Sequence, residues 1–297
     1  MFKLICGLGN LDIENIKALV KLYAKAGAWM FDVSPFALWA LNEAIAEENL
    51  NPDNFKYCVS IPLEGDVHGK KAKILSNKCK KCSKCAKKCH QGAISNFIVD
   101  EKKCIGCGIC KKVCSCSAVK MYDKTDYFDK LNEILKSDLK LDCVELHASV
   151  GDKKHILKKL KKISKKFKGD ISLCISRKYF SLNQAIQLIS EAKEIVSDNS
   201  AFYIQADGNS MNGANKELSS TIECVAFALA LKESGVDENT IILSGGTNEY
   251  TKKLCDELSL KPLSIAFGTY ARKNVRNLDD NASLEFAKKL VGALGRV

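Results

Sequence analysis

The sequence predicts a (β/α)8 barrel of the TIM type with a bacterial 2[4Fe-4S] ferredoxin-type insertion after its third strand. Short apolar runs alternate with amphipathic helical patterns eight times along the chain. Strands that are apolar throughout are typical of a parallel sheet covered by helices on both faces. The 297 residues less the 45 of segment 77–121 leave 252, close to the roughly 250 of such barrels. An open doubly wound sheet is the competing architecture.

The eight units follow one another without a break outside the insertion. The predicted strands are 3–7, 29–34, 57–63, 143–148, 171–176, 202–207, 240–244 and 263–267, and the predicted helices are 12–26, 35–48, 128–139, 153–168, 181–196, 219–234, 251–258 and 283–294. The barrel is therefore discontinuous, formed by 1–76 and 122–297, with 77–121 inserted in a βα loop. Since βα loops open on the face where barrels build their active sites, we expect the insertion above the mouth.

Cysteine usage favours metal binding over disulfides. Nine of the fifteen cysteines lie between Cys79 and Cys116. The chain shows no signal-peptide pattern and no apolar run long enough to span a membrane, so we expect a cytoplasmic protein. Thiols stay reduced there, and dense cysteines then indicate a metal site. The six isolated cysteines lie in apolar surroundings and are expected to act as small hydrophobic residues.

The cysteine segment contains the C-x2-C-x2-C-x3-C spacing twice, which predicts two [4Fe-4S] clusters. In this motif the fourth cysteine of each half ligates the cluster of the other half. One predicted set is Cys79, Cys82, Cys85 and Cys114, and the other is Cys104, Cys107, Cys110 and Cys89. Zinc would not explain the third cysteine of each triplet. Cys116 could compete with Cys114, but the x3 spacing favours Cys114.

The chain is basic, with a formal net charge of +11 and two lysine-rich stretches. Lysines around the clusters either dock an acidic electron-transfer partner or form ordinary solvated surface. In 153–168 apolar residues recur at helical spacing, which predicts a helix with a solvated lysine face. Few aromatic residues interleave with these lysines, so nucleic-acid binding is not expected.

Polar residues at the predicted carboxyl ends of the strands indicate a ligand site at the barrel mouth. Glu145, His147 and Asp207 are the candidate catalytic residues, although a hydrogen-bonded structural role for His147 is equally compatible. The loops after strands seven and eight are candidates for binding a phosphate group, as in a flavin nucleotide. The residues concerned are Gly245, Gly246, Gly268, Thr269 and Arg272. The alternative is that these glycines only form tight turns.

Several segments together resemble the light-dependent period protein (LdpA) family of cyanobacteria. They are the opening 4–7, the double cluster motif, and the segments 205–213, 243–248 and 266–272. The resemblance implies a redox sensor or electron relay that supplies redox input to the circadian clock, with a clock-type protein partner. The alternative is a barrel oxidoreductase, in which the clusters pass electrons to a flavin or a phosphate-bearing substrate at the mouth. The sequence leaves open whether a reaction is catalysed.

Overall fold

Eight parallel strands close into a barrel in the computed structural model, which describes residues 1–66, 69–124, 126–148, 152–196, 200–208 and 218–294. Numbered along the chain, the barrel strands are β1 (Phe2–Ile5), β2 (Met30–Val33), β3 (Lys56–Pro62), β8 (Cys143–His147), β9 (Asp170–Ser176), β10 (Phe202–Asp207), β11 (Ile241–Ser244) and β12 (Ser264–Phe267). Because β1 pairs with both β2 and β12, the sheet has no edge. The predicted barrel is therefore confirmed, and the alternative prediction of an open doubly wound sheet is wrong. Segment 209–213 of the family resemblance lies outside the described residues.

Helices surround the barrel and bury one apolar face each against it. They are α1 (Ile13–Lys25), α2 (Leu38–Glu47), α5 (Tyr127–Ile134), α6 (Lys153–Lys166), α7 (Leu182–Lys193), α8 (Leu218–Glu233), α9 (Thr251–Glu257), α10 (Thr269–Val275) and α11 (Asp280–Gly292). Side-chain caps start several of them: Ser181 forms a capping box with Gln184, and Asp152 accepts from the His155 amide. In α6 the apolar stripe is buried and the lysines lie on the outer face, as predicted. No helix in the described ranges is long and apolar enough to cross a membrane.

Strand periodicity separates the barrel interior from the layer beneath the helices. Alternate residues of each strand face inward. The lowest interior layer is apolar, and its buried members are Met30, Cys58, Cys143, Tyr203, Ile242 and Ala266. Polar side chains fill the layers above it, so the polarity of the interior rises towards the carboxyl ends of the strands.

The segment between β3 and α5 forms two short antiparallel pairs and two single helical turns. The outer pair joins β4 (Lys70–Ile74) to β7 (Val119–Asp123), and the inner pair joins β5 (Ile94–Ser95) to β6 (Ile98–Val99). The helical turns are α3 (Lys84–Lys87) and α4 (Ile109–Lys112). The outer pair extends beyond the predicted bounds 77–121 on both sides.

Lys71 of β4 clamps this segment onto the barrel. Its side chain is fully buried, and Nζ donates to the carbonyl oxygens of Gly9 at 2.6 Å, Glu101 at 2.7 Å and Cys104 at 2.5 Å. Gly9 belongs to the loop after β1, whereas the other two carbonyls belong to the cysteine segment. A backbone bond of 2.8 Å from Leu11 to Lys102 reinforces the junction. The segment is therefore fixed over the β1 side of the mouth.

Candidate functional site

The cysteines of the insertion line two separate cavities, and each cavity draws on both halves of the motif. Cys89, Cys104, Cys107 and Cys110 line a cavity of about 60 Å³, which we call the inner cysteine cavity. Another set lines a smaller cavity, called the outer cysteine cavity: Cys79, Cys82, Cys85, Cys114 and Cys116. In each case the fourth cysteine comes from the other half of the motif. Either Cys114 or Cys116 can supply it in the outer cavity, because their sulfur atoms lie 3.7 Å apart.

The two halves of the motif repeat the same backbone. Lys81 and Gly106, which precede the second cysteine of each half, have φ of +53° and +75°. Ser83 and Gly108, which follow it, have φ of +59° and +72° and precede α3 and α4. Left-handed backbone at Lys81 and Ser83 is uncommon for residues with a side chain. A repeat of it at matched positions indicates one loop geometry used twice.

Backbone amides point at the sulfur atoms that complete each set. The amide of Ala93 donates to Cys89 Sγ at 3.4 Å, and the amide of Ala118, at the matched position, donates to Cys114 Sγ at 3.3 Å. Burial tends to raise the pKa of Cys114, but amide donors and Cys116 outweigh it and bring the pKa below its usual value. Burial raises the pKa of Cys110 to about 11. Four sulfur donors with amide hydrogen bonds fit an iron–sulfur cluster.

The barrel mouth holds a third cavity, of about 110 Å³, called the mouth cavity. All eight residues predicted for the mouth line it: Glu145, His147, Asp207, Gly245, Gly246, Gly268, Thr269 and Arg272. The carboxyl ends of parallel strands converge here, which explains why residues far apart in sequence meet. Their catalytic and phosphate-binding roles remain predictions.

A buried ionic network forms the floor of the mouth cavity. Lys3 Nζ lies 2.7 Å from Glu145 Oε2, 3.1 Å from Asp32 Oδ2 and 2.7 Å from Gln205 Oε1. Glu145 also accepts from Ser60, Ser172 and Gln205. Both side-chain oxygens of Glu145 are therefore engaged by partners within this floor.

Sequence reasoning missed Lys3, although a signal was present. This is the single charged residue in an apolar strand, at a position that alternation turns inward. Burial opposes its charged form, but the carboxylates of Asp32 and Glu145 raise its pKa well above the usual value. Burial raises the pKa of Asp32 to about 6 despite the attraction of Lys3.

His147 and Asp207 lie above this floor, at the ends of β8 and β10. His147 Nδ1 is 2.7 Å from Asp66 Oδ2, in the described part of the loop after β3. Burial disfavours the imidazolium, but neighbouring Cys174 and Asp66 raise the pKa of His147 well above its usual value. Cys174 on β9 lies beside the same ring, with its Sγ within 4.8 Å of a ring nitrogen. Sequence reasoning treated Cys174 as a hydrophobic residue, because its side-chain direction depends on the strand register.

Side chains of β10 and α8 pack against the glycine loop that follows β11. Gly245 has φ of +67°, and a β-carbon there would collide with the Asp207 carboxylate. Thr221 Oγ1 donates to Asn248 Oδ1 at 2.7 Å and lies 3.1 Å from the Gly246 carbonyl oxygen. The absence of a side chain at Gly245 therefore makes room for Asp207.

The mouth cavity and the inner cysteine cavity share parts of their walls. Ile105, the residue after Cys104, lines both cavities, and so does Thr269 at the start of α10. Arg272 of α10 lines the mouth cavity, where Nη1 donates to the Ile5 carbonyl at 2.5 Å. The sequence predicted a loop in place of α10, a helix of two turns.

Comparison with known proteins gives a match to the family described as the light dependent period A C-terminal domain, over residues 135–291, which is more than half of the chain. The chain is 29% identical over 267 residues to light dependent period A of Synechococcus elongatus, covering 87% of this chain and 74% of that protein.

Two solved structures resemble the whole chain at low sequence identity. A spore coat polysaccharide biosynthesis protein of Bacillus subtilis has a TM-score of 0.51 at 10% identity, covering 99% of this chain and 66% of that one. A truncated 3-deoxy-D-arabino-heptulosonate 7-phosphate synthase of Thermotoga maritima has a TM-score of 0.49 at 11% identity, covering 98% and 84%. At 10% identity, the similarity to the Bacillus subtilis protein concerns the fold alone.

Proposed function

This chain belongs to the light dependent period A family, and we propose that it is a redox sensor or electron relay that binds two [4Fe-4S] clusters. The observation that carries the proposal is the grouping of the cysteines, since each cysteine cavity is lined by a triplet from one half of the motif and the fourth cysteine of the other. This crossed arrangement is the one expected of two-cluster ferredoxins. When bound, each cluster exchanges one electron.

Charge around the inner cysteine cavity favours an acidic protein partner. Exposed Lys103, Lys273 and Arg276 line a polar groove beside His90, a neighbour of Cys89. Arg276 Nη1 donates to the His90 carbonyl at 3.2 Å, which ties the barrel to the cysteine segment. A basic rim steers an acidic partner towards the nearer cluster. The proposal extends to a clock-type or electron-transfer protein with an acidic docking face.

Lys71 gives the sensor version a physical link between the clusters and the barrel. Its ammonium group donates to the Cys104 carbonyl and to the Gly9 carbonyl at once. Burial lowers its pKa to about 8, and negative charge on the Cys104 sulfur opposes that shift. More negative charge at the Cys104 sulfur would strengthen the hold of Lys71 on the segment, whereas less charge would loosen it.

The test is the iron content of protein purified without oxygen. We expect about eight irons and eight sulfides per chain, as two [4Fe-4S] clusters require. Cys89→Ser should lose close to half of the iron, while Cys116→Ser, the matched control in the same segment, should retain nearly all of it. Zinc in place of iron in the wild type would contradict the proposal, as would a full iron content in Cys89→Ser.

A barrel oxidoreductase is the second candidate, and the shared walls of the two cavities favour it. Ile105 and Thr269 each line both the mouth cavity and the inner cysteine cavity, so an electron would cross a single layer of side chains. The mouth cavity formed by the described residues is smaller than the roughly 300–1,000 Å³ typical of ligand sites. It therefore suits a small phosphate-bearing compound, or one end of a flavin, better than a whole flavin.

Acid precipitation of the purified protein tests this candidate. Acid destroys iron–sulfur clusters and leaves the absorbance of a released flavin in the supernatant. Flavin at near one per chain would support the oxidoreductase. If the supernatant holds neither flavin nor a phosphorylated compound, the sensor or relay stands alone.

A further inference from the structure

We propose that His147, Cys174 and Asp207 form a binding site for Zn²⁺ at the top of the barrel, separate from the cysteine segment. The three residues are 8%, 1% and 7% exposed, and their ligand atoms all lie within 4.8 Å of one another. They offer one nitrogen, one sulfur and one oxygen donor, a set that suits Zn²⁺. The inference does not depend on the clusters.

The strand register brings these residues together. His147 ends β8 and is the register partner of Cys174 on β9. Asp207 ends β10, where it pairs with Ser176, two residues beyond Cys174. Neighbouring strands of a barrel are staggered, so these inward-facing residues reach similar heights. The site is therefore built on three adjacent strands of the closed barrel.

The distances leave room for an ion. Zinc lies about 2.0–2.3 Å from nitrogen, oxygen and sulfur ligands, which places ligand atoms about 3.3–3.7 Å apart in a tetrahedral site. Donor atoms within 4.8 Å of one another reach this spacing through rotation of the side chains. His147 and Cys174 are register partners on neighbouring strands, so these two donors approach each other across the β8–β9 pair.

Asp66 supports the proposed site through its contact with the His147 ring. Its fully buried carboxylate lies 2.7 Å from His147 Nδ1. A histidine that binds metal through one nitrogen usually presents the other to a carboxylate, which orients the ring and strengthens the ligand. The nitrogen that a zinc ion would take is therefore Nε2.

The fourth coordination position faces the mouth cavity. His147 and Asp207 both line this cavity, and Arg272 lies on its wall. Three protein ligands with one open position are typical of catalytic rather than structural zinc. The open position would take a water molecule or an oxygen atom of a small anionic ligand, whose charge Arg272 could also balance.

The test is zinc binding by the full chain. Anaerobically reconstituted protein is mixed with one equivalent of Zn²⁺, passed through a desalting column with a weak chelator, and measured by mass spectrometry and zinc K-edge X-ray absorption. We expect about one zinc per chain, with one sulfur and two or three nitrogen or oxygen ligands. Cys174→Ala and Asp207→Asn should each lose that zinc, while Cys255→Ala, another buried cysteine, should keep it.

Two further measurements test the zinc site even if a ligand variant folds poorly. Asp66→Asn should retain zinc with an affinity about 10- to 100-fold weaker, because it removes the support of His147 and no ligand. The absorption spectrum of the wild type needs no variant. Zinc surrounded by four sulfur atoms, or zinc retained by folded Cys174→Ala, would overturn the site. No retained zinc in the wild type, together with rapid alkylation of Cys174, would also overturn it and assign a nucleophilic thiol.

Discussion

Replacing Lys3 with methionine should destabilise the barrel strongly. The two carboxylates lie 2.7 and 3.1 Å from Nζ, and at an effective dielectric constant of about 20 each attraction amounts to about 5–6 kcal/mol. Desolvation of the buried ions offsets much of this sum. Removing one partner of such a network typically costs about 3–5 kcal/mol, because the remaining charges stay buried without compensation. The urea midpoint of the circular dichroism signal should fall by about 1–2 M.

Lys17 provides a matched control at the surface. Its Nζ also contacts two carboxylates, Glu43 at 2.9 Å and Glu47 at 2.7 Å, but solvent screens this group. Lys17→Met should therefore leave the midpoint almost unchanged. Combining Lys3→Met with Glu145→Gln should recover part of the loss, because one uncompensated charge disappears. Equal midpoints for Lys3→Met and Lys17→Met would refute the reasoning.

Three further predictions follow from the loops, the junction and the buried thiols. Gly245→Ala should weaken zinc binding by displacing the Asp207 carboxylate, as measured by chelator competition, whereas Gly235→Ala, also at positive φ but with open space around it, should not. Lys71→Met should speed the loss of cluster absorbance in air several-fold, because the inner cysteine cavity loses its clamp to the barrel. Burial raises the pKa of Cys255 to about 12, so the folded state keeps a proton that the unfolded state loses above about 9. The unfolding free energy of the wild type should therefore fall between pH 9.5 and 11 more steeply than that of Cys255→Ala, by up to about 1.4 kcal/mol per pH unit, in urea titrations at three pH values.

The barrel could be predicted from the sequence because its signal is local and repeated. Each strand is a short apolar run and each outer helix carries one apolar stripe, so each unit can be identified without reference to its neighbours. The mouth residues followed from the same reasoning, since a polar residue at the carboxyl end of a barrel strand points to the mouth. All eight predicted residues do line the mouth cavity.

The remaining features depend on register and on contacts between distant segments. Cys174 faces the interior because its strand pairs with β8 in one register, and a shift of one residue would turn it towards the helices. The role of Gly245 depends on the position of Asp207, which lies 38 residues earlier in the chain. The clamp made by Lys71 joins three segments whose proximity no periodic pattern encodes.

The position of the insertion bears on how the two candidate functions relate. The segment leaves the barrel after β3, yet it contacts the loop after β1 through Lys71 and the end of α10 through Arg276. It therefore covers the β1 and β12 side of the mouth, and Ile105 forms part of the wall of the mouth cavity. For any two charges about 10 Å apart at an effective dielectric constant of about 20, a unit change of charge is worth about 1.7 kcal/mol, more than a tenfold change in affinity. If the proposed inner cluster is bound, a change in its charge would act on an anion in the adjoining mouth cavity in this way, and the shared wall would then serve sensing as well as electron delivery.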